Sequence, residues 1–554
     1  MKASFSRREF LRFASAGSAL LLARPGATQH ASQDERGPGQ ATSFNPDLEL
    51  ELRASRGDAP ILKGEATRVF TFQGRVLKGD RASLQPLAGG YGGPIIRVRR
   101  GQRLRIHFVN DVDQESIIHW HGLHLPEAMD GHPRYAVAAG KRYVYEFEVK
   151  NRSGTYWYHP HPHGRTGRQI YLGLASFFLV SDDAEQAALL PQGEYDLPLM
   201  LQDRSFGRDN QLVYLSDEGA GGGMMGGMMG GGMTGRGMMG GGMGDMMAGM
   251  MGFFGDQILV NGRPNPTLSV ATRAYRLRLL NGSNARTYKL AWSDGTPLTV
   301  IATDGGLLAK PVQRPYVTLA PGERADLWAD FSDRSLGSEL VLRSLAFEGT
   351  MAMGGMMGGM MGGMMGGMMG SSSLPDGAAF PVFKLRVERK SRDALQLPKQ
   401  FGSLTRYRAE EAINHRSPRA FEITMGHMRW GINGRSFEME RAAEDETVRL
   451  NTLEAWEFTN DPSGMMGAMA HSMHIHGLQF QVLERRVARE FAGGWNSVSP
   501  GYVDEGWKDT VLIMPGERVR MLLKFTDYTG LFAYHCHMLE HGDTGLMRNY
   551  RVRA

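Results

Sequence analysis

Pro515-Gly516-Glu517-Arg518-Val519-Arg520-Met521-Leu522-Leu523-Lys524-Phe525 joins a glycine turn to a run that alternates apolar and polar side chains. Period-two alternation predicts a half-buried antiparallel strand over 519–525. The same unit occurs twice earlier, where Ala139-Gly140-Lys141-Arg142 precedes 143–149 and Pro321-Gly322-Glu323-Arg324 precedes 325–331. Upstream of each lies a strand expected to end in a Gly-Arg turn, at Gln73-Gly74-Arg75, Asn261-Gly262-Arg263 and Asn433-Gly434-Arg435. Long helical patterns are scarce. One β unit of about 150 residues used three times argues for an all-β chain of three β-sandwich domains. The expected domains are 46–185, 186–375 and 376–554, after a signal and flexible N-terminus over 1–45.

The 554-residue length suits three domains and ample core. Net charge is only +5, and basic residues are scattered apart from short clusters such as 97–100, so no nucleic-acid partner is expected. Near the start, Ser6-Arg7-Arg8-Glu9-Phe10-Leu11 precedes an apolar run over 13–23, the order of a twin-arginine export signal. The Tat export machinery is therefore an expected partner and the periplasm, or another exported location, the expected destination. The apolar run is too short for an ordinary membrane span, so no stable membrane anchoring is expected, and the mature chain is read as a soluble monomer.

Two segments, 219–252 and 351–370, consist almost entirely of glycine and methionine. Glycine makes backbone costly to order, so both are expected to be mobile loops rather than packed strands, distinguished chemically by thioether sulfur.

The single cysteine excludes an intramolecular disulfide. Cys536 lies in His535-Cys536-His537, with His541 four residues beyond. Three other histidine clusters accompany it: His119-Trp120-His121, His159-Pro160-His161, and His471-Ser472-Met473-His474-Ile475-His476. On a strand, residues i and i+2 share a face, so each His-x-His presents two imidazoles to one centre and Cys536 turns to the opposite face. Cys536, His471 and His541 make a His2Cys set, the ligand type of a blue-copper electron-transfer site. His119, His121, His159, His161, His474, His476, His535 and His537 suit a multinuclear copper cluster. Zinc tolerates His2Cys but does not account for eight further paired histidines.

These clusters resemble the signature of the multicopper oxidases, over nearly the whole chain after the signal. Gly164-Arg165-Thr166-Gly167-Arg168-Gln169, Gly506-Trp507-Lys508-Asp509-Thr510-Val511 and Leu539-Glu540-His541 look like the bacterial periplasmic copper-efflux (cuprous) oxidases and bacterial laccases. The resemblance implies three cupredoxin-like Greek-key β-sandwiches and four copper ions per monomer. It implies that His471, Cys536 and His541 hold the type 1 copper, and His119 and His474 the type 2 copper. His121, His159, His161, His476, His535 and His537 are then left for the type 3 pair. The axial position is Leu546 where efflux oxidases carry methionine, and a strand turns Met547 away, so a type 1 site without thioether and with a raised potential is expected.

Dioxygen reduction consumes protons, and Asp130 matches the family's acid beside the cluster. The second acid of the efflux branch would follow His541, where Gly542 stands, leaving Glu540 and Asp543 as substitutes. Thioethers select Cu(I), and 351–370 occupies the place of the methionine-rich insert of efflux oxidases. Met465, Met466 and Met469 lead into His471, and Met469 matches a substrate-Cu(I) ligand, while that branch's next ligand acid is replaced by Gly467. Met351, Met353 and Glu348 complete the substrate candidates, with Asp461 as another acid. The reductant is expected to be Cu(I), the alternatives being a small aromatic donor as in laccases, or copper storage without turnover. The resemblance implies dioxygen as the oxidant.

Overall fold

The protein is described here by a computed structural model, in which residues 44–215, 250–348, 351–352, 374–392, 395–426, 429–461 and 468–554 are described. The twin-arginine stretch, Met353, Met465, Met466, Gly467 and most of both methionine-rich segments lie outside these residues. Among the described residues, strands predominate and the α-helices are short, such as Thr166–Leu172 and Leu539–Asp543. No helix there is long and apolar enough to cross a membrane.

Each repeat folds into two facing sheets. In the first, the strand order Thr67–Lys78, Leu48–Ala59, Arg103–Asn110, Arg142–Glu148 faces a five-stranded sheet that ends Ser176–Ser181, Gly154–Pro160, Ile118–His121. Leu50, Leu52, Ile106, Tyr145 and Trp120 fill the space between them. In the third, the sheet Thr447–Arg449, Met547–Arg553, Gly530–Cys536, His471–Ile475, Thr510–Ile513 carries the second set of histidines. Apolar faces from both sheets are removed from water, which stabilises each sandwich by roughly 25 cal/mol per Å² buried.

The three quoted turns feed the strands Arg142–Glu148, Arg324–Asp330 and Glu517–Lys524, with Gly140, Gly322 and Gly516 at positive φ. Alternation predicts half-burial, and Arg142–Glu148 obeys it, but Arg324–Asp330 is buried on both faces up to Ala329. Its polar face meets the first sandwich instead of water: Thr155 Oγ1 donates to Asp326 Oδ1 at 2.8 Å.

Three expectations are corrected. Gln73-Gly74-Arg75 is no turn but lies inside the strand Thr67–Lys78. There glycine serves close packing, since a Cβ on Gly74 would sit 2.7 Å from Leu84 and 2.8 Å from Pro94; Asn261-Gly262 and Asn433-Gly434 are the true turns, all four residues at positive φ. Second, Phe380–Arg389 falls beyond the expected boundary at 375/376 yet pairs with Thr267–Ala271 and Glu339–Ser344, so the second sandwich runs on to Arg389. Third, the methionine-rich segments are not loops throughout. Met351–Ala352 pairs with Ala468–Met469, and Met250 and Met251 are helical, Met250 being 4 % exposed and Met251 packed on the apolar cluster of the third sandwich, because a neighbouring strand and that cluster give those ends partners.

Candidate metal centres

Ile118–His121 and Gly154–Pro160 are adjacent antiparallel strands in the first sandwich, registering His119 opposite His159. His471–Ile475 and Gly530–Cys536 are likewise adjacent in the third, registering His474 opposite His535. The two sheets bring their histidines together across the interface: His119 Nε2 lies 3.3 Å from His474 Nε2, and His161 Nε2 lies 3.1 Å from His535 Nε2. His476 Nε2 is 3.0 Å from His535 Nε2, and His121 Nδ1 is 3.4 Å from His159 Nε2. His537 joins His121 and His159 in a third group of converging donors. All eight imidazoles are buried.

The outward nitrogens explain why the inward ones face each other as lone pairs. His119 Nδ1 donates to the Asp130 carbonyl at 2.7 Å and His474 Nδ1 to the Asp509 carbonyl at 2.8 Å. His159 and His535 donate to the Pro160 and Cys536 carbonyls. His121 is turned round, its Nε2 donating to Asp509 Oδ1 at 3.0 Å, which leaves Nδ1 inward. Such hydrogen bonds fix tautomer and ring orientation, as around metal-bound histidines. Burial, with neighbouring imidazoles adding to it, pushes His119 well below its ordinary range, and burial brings His159 to about 3 and His535 to about 4. These rings are therefore neutral ligands at ordinary pH. Neutral lone pairs crowded at 3.0–3.4 Å repel unless a cation lies between them, and nitrogens bonded to one ion at about 2 Å lie about 3.3 Å apart. His537 has both ring nitrogens buried without a hydrogen-bond partner, and a metal ion would satisfy the one that faces His121 and His159.

On the opposite face of the same tripeptide, Cys536 Sγ lies 3.6 Å from His471 Nδ1 and 3.7 Å from His541 Nδ1, the two nitrogens being 3.2 Å apart. One thiolate and two imidazoles in a triangle suit a His2Cys copper site. Burial pushes the Cys536 thiol up to about 12, so its thiolate form requires a bound cation. Leu546 is fully buried in the apolar cluster with Cys536, whereas Met547 is registered opposite His535 and so lies on the other face. The donor set fits copper at both places.

Asp130 is fully buried, its Oδ2 accepting from His476 Nδ1 at 2.7 Å while its Oδ1 has no partner; burial raises its carboxyl well above the ordinary range. Both oxygens of Glu540 are occupied, by Tyr214, Asn284 and the Phe253 amide. Asp543 accepts from the Thr166 and Gly167 amides, is pushed up to about 7 by burial, and lines a narrow cavity with His161 and His535. A side chain at Gly542 would begin 3.9 Å from His535 Nδ1, so glycine leaves that approach without an acid.

Among the substrate candidates, Met469 is 5 % exposed and its backbone pairs with that of Met351. Glu348 is exposed, beside Gly493 and Gly494.

The sequence did not single out Arg324 and Asp509 as site residues. Fully buried Arg324 forms a two-pronged ion pair with Asp509, Nη1 to Oδ1 at 2.7 Å and Nη2 to Oδ2 at 2.5 Å, and its Nε donates to the Thr155 carbonyl at 2.9 Å. One guanidinium thus ties all three sandwiches and steadies the carboxylate that orients His121. Charged residues alternating along the strand Arg324–Asp330 were the available signal.

A His2Cys site joined by one tripeptide to eight imidazoles defines a copper protein with a one-electron entrance and a multinuclear terminus. Family models described as multicopper oxidase match residues 71–185 and 412–554. The chain is 28 % identical to the multicopper oxidase mco of Staphylococcus haemolyticus over 501 residues, 90 % of this chain and 88 % of that one. It is 29 % identical to a laccase of Bacillus stratosphericus, over 83 % of this chain and 89 % of that one. The crystal structure of the McoA multicopper oxidase of Aquifex aeolicus superposes with a TM-score of 0.71 at 32 % identity, covering 92 % of this chain and 97 % of that one. The chain belongs to the multicopper oxidase family, an oxidoreductase with copper as cofactor and oxygen as acceptor.

Proposed function

We propose that the protein oxidises Cu(I) one electron at a time at the His471–Cys536–His541 site and uses four such electrons, with four protons, to reduce dioxygen to two waters at the eight-histidine cluster. His471, Cys536 and His541 would hold type 1 copper, His119 and His474 type 2, and the other six histidines the type 3 pair. Copper supplies one-electron acceptance at the first site and dioxygen reduction at the second. Cys536 links them, since its own backbone carries His535 and His537. Asp130 holds a proton at its unpartnered Oδ1, beside His476 and His119. Asp130→Asn is expected to slow oxygen consumption about a hundredfold with copper content unchanged, read by an oxygen electrode and metal analysis.

The observation that carries the Cu(I) reading is the pairing of Met351 with Met469, which brings one end of a methionine-rich segment within two residues of His471. The Met250 end of the other segment accepts a hydrogen bond from Trp430, which packs on His471. Backbone contacts that bring the ends of two methionine-rich segments to the site suit delivery of Cu(I), which thioethers select. Oxygen uptake with chelated Cu(I) is expected to collapse on deletion of 351–370. Cu(I) inactivity with undiminished phenol oxidation would instead establish a laccase. Leu546 favours that second reading, because a site without a thioether has a raised potential that helps oxidise organic donors. Arg7-Arg8 and the following apolar run support twin-arginine export and a role in copper tolerance outside the cytoplasm.

A further inference from the structure

Trp430 sits where the two histidines of the His2Cys site would otherwise present their edges. Its ring centroid is 4.8 Å from that of His471, at 80°, and 4.9 Å from that of His541, at 37°. Among the described residues it is the one aromatic ring, apart from the histidines themselves, packed on both. Three restraints hold it there. Its Nε1 donates to the Met250 carbonyl at 3.3 Å, a contact from the second sandwich to the third. The strand Arg429–Ile432 pairs with Arg419–Gly426, registering Trp430 opposite Met425. Its own carbonyl packs against Gly545, where an added Cβ would come within 3.0 Å, so the turn after His541 closes directly onto this strand. The indole is 6 % exposed, and His471 and His541 are 1 % and 0 % exposed.

We propose that Trp430 is the specificity-determining cover of the electron entrance, keeping bulky organic donors from the His471 and His541 edges while a single metal ion can still approach beside it. This claim rests on those histidines belonging to the electron-accepting site. A flat phenol gains contact by stacking on a ring, and here both imidazoles already have the indole against them. A cation needs no ring face, only soft donors; Met425, the cross-strand neighbour of Trp430, and Met251 both pack on the same cluster. Trp430 acts by exclusion and is not consumed.

The test uses Trp430→Ala and, should that variant fail to fold, Trp430→Leu. In metal-free protein, carbethoxylation of His471 and His541, read by peptide mass mapping, is expected to rise several-fold over wild type. In copper-loaded protein, kcat/KM for a bulky phenol relative to that for chelated Cu(I) is expected to rise about tenfold or more. Unchanged labelling, or raised labelling with an unchanged ratio, overturns the proposal while leaving the Cu(I) reading standing. A copper-loaded wild type that consumes oxygen with neither donor overturns both.

Discussion

Cys536→Ser is expected to abolish donor-driven oxygen consumption, by at least about a thousandfold, while the protein still folds and retains three of four coppers. The serine hydroxyl is nearly isosteric but is a hard, weakly acidic donor, and the His2Cys chemistry depends on soft thiolate. Because His535 and His537 turn to the other face from Cys536, the other six histidines of the cluster, four from the first sandwich and two from the third, keep their positions. Metal analysis and the visible spectrum of the purified variant check this directly. Loss of the thiolate-to-copper absorption with the eight-histidine cluster still loaded is the expected pattern. Substantial turnover by this variant would show that electrons enter elsewhere.

Arg324→Met is expected to destabilise the protein by about 3–5 kcal/mol, because it leaves Asp509 with its charge buried and uncompensated. Asp304 loses two contacts as well, since its Oδ1 lies 3.7 Å from the guanidinium and its carbonyl accepts from Nη2 at 3.0 Å. Lys508, 3.1 Å from Asp304 and 3.0 Å from Glu323, would then be the nearest remaining cation of the network. Stability is one readout and the type 2 signal in electron paramagnetic resonance is the other. Asp509 touches His121 through its side chain and His474 through its carbonyl, its Oδ1 lying 3.6 Å from His474 Nδ1, so a carboxylate freed from its fork should perturb the type 2 copper proposed for His119 and His474. Arg324→Lys, which keeps the charge and loses the planar fork, should fall between wild type and methionine on both measures. A destabilised Arg324→Met protein with an unaltered type 2 signal would leave Arg324 a purely structural tie.

What could be read from the sequence follows physical range. The two centres were legible because strand geometry converts His535-Cys536-His537 into two faces, and no register shift interrupts the pairing of His535 with His474 and Met547. The sandwich repeat was legible in the same way, from turns and alternation a few residues long. Gly74 was misread because glycine marks a turn and a close packing contact equally well, and only Leu84 and Pro94, met in three dimensions, decide between them. The strand Phe380–Arg389 was assigned to the wrong sandwich because the glycine-methionine segment before it looks like a boundary, although its partners Thr267–Ala271 lie more than a hundred residues back. Arg324 with Asp509, and Trp430 with Met250, join residues separated by 185 and 180 positions, and no local pattern announces such pairs.

Copper analysis of the purified wild-type protein together with its visible absorption spectrum tests the central claim most directly. Four coppers per chain, with the intense thiolate absorption that disappears in Cys536→Ser, is the predicted result. A protein that takes up only zinc, or that shows no thiolate absorption after copper loading, would contradict it.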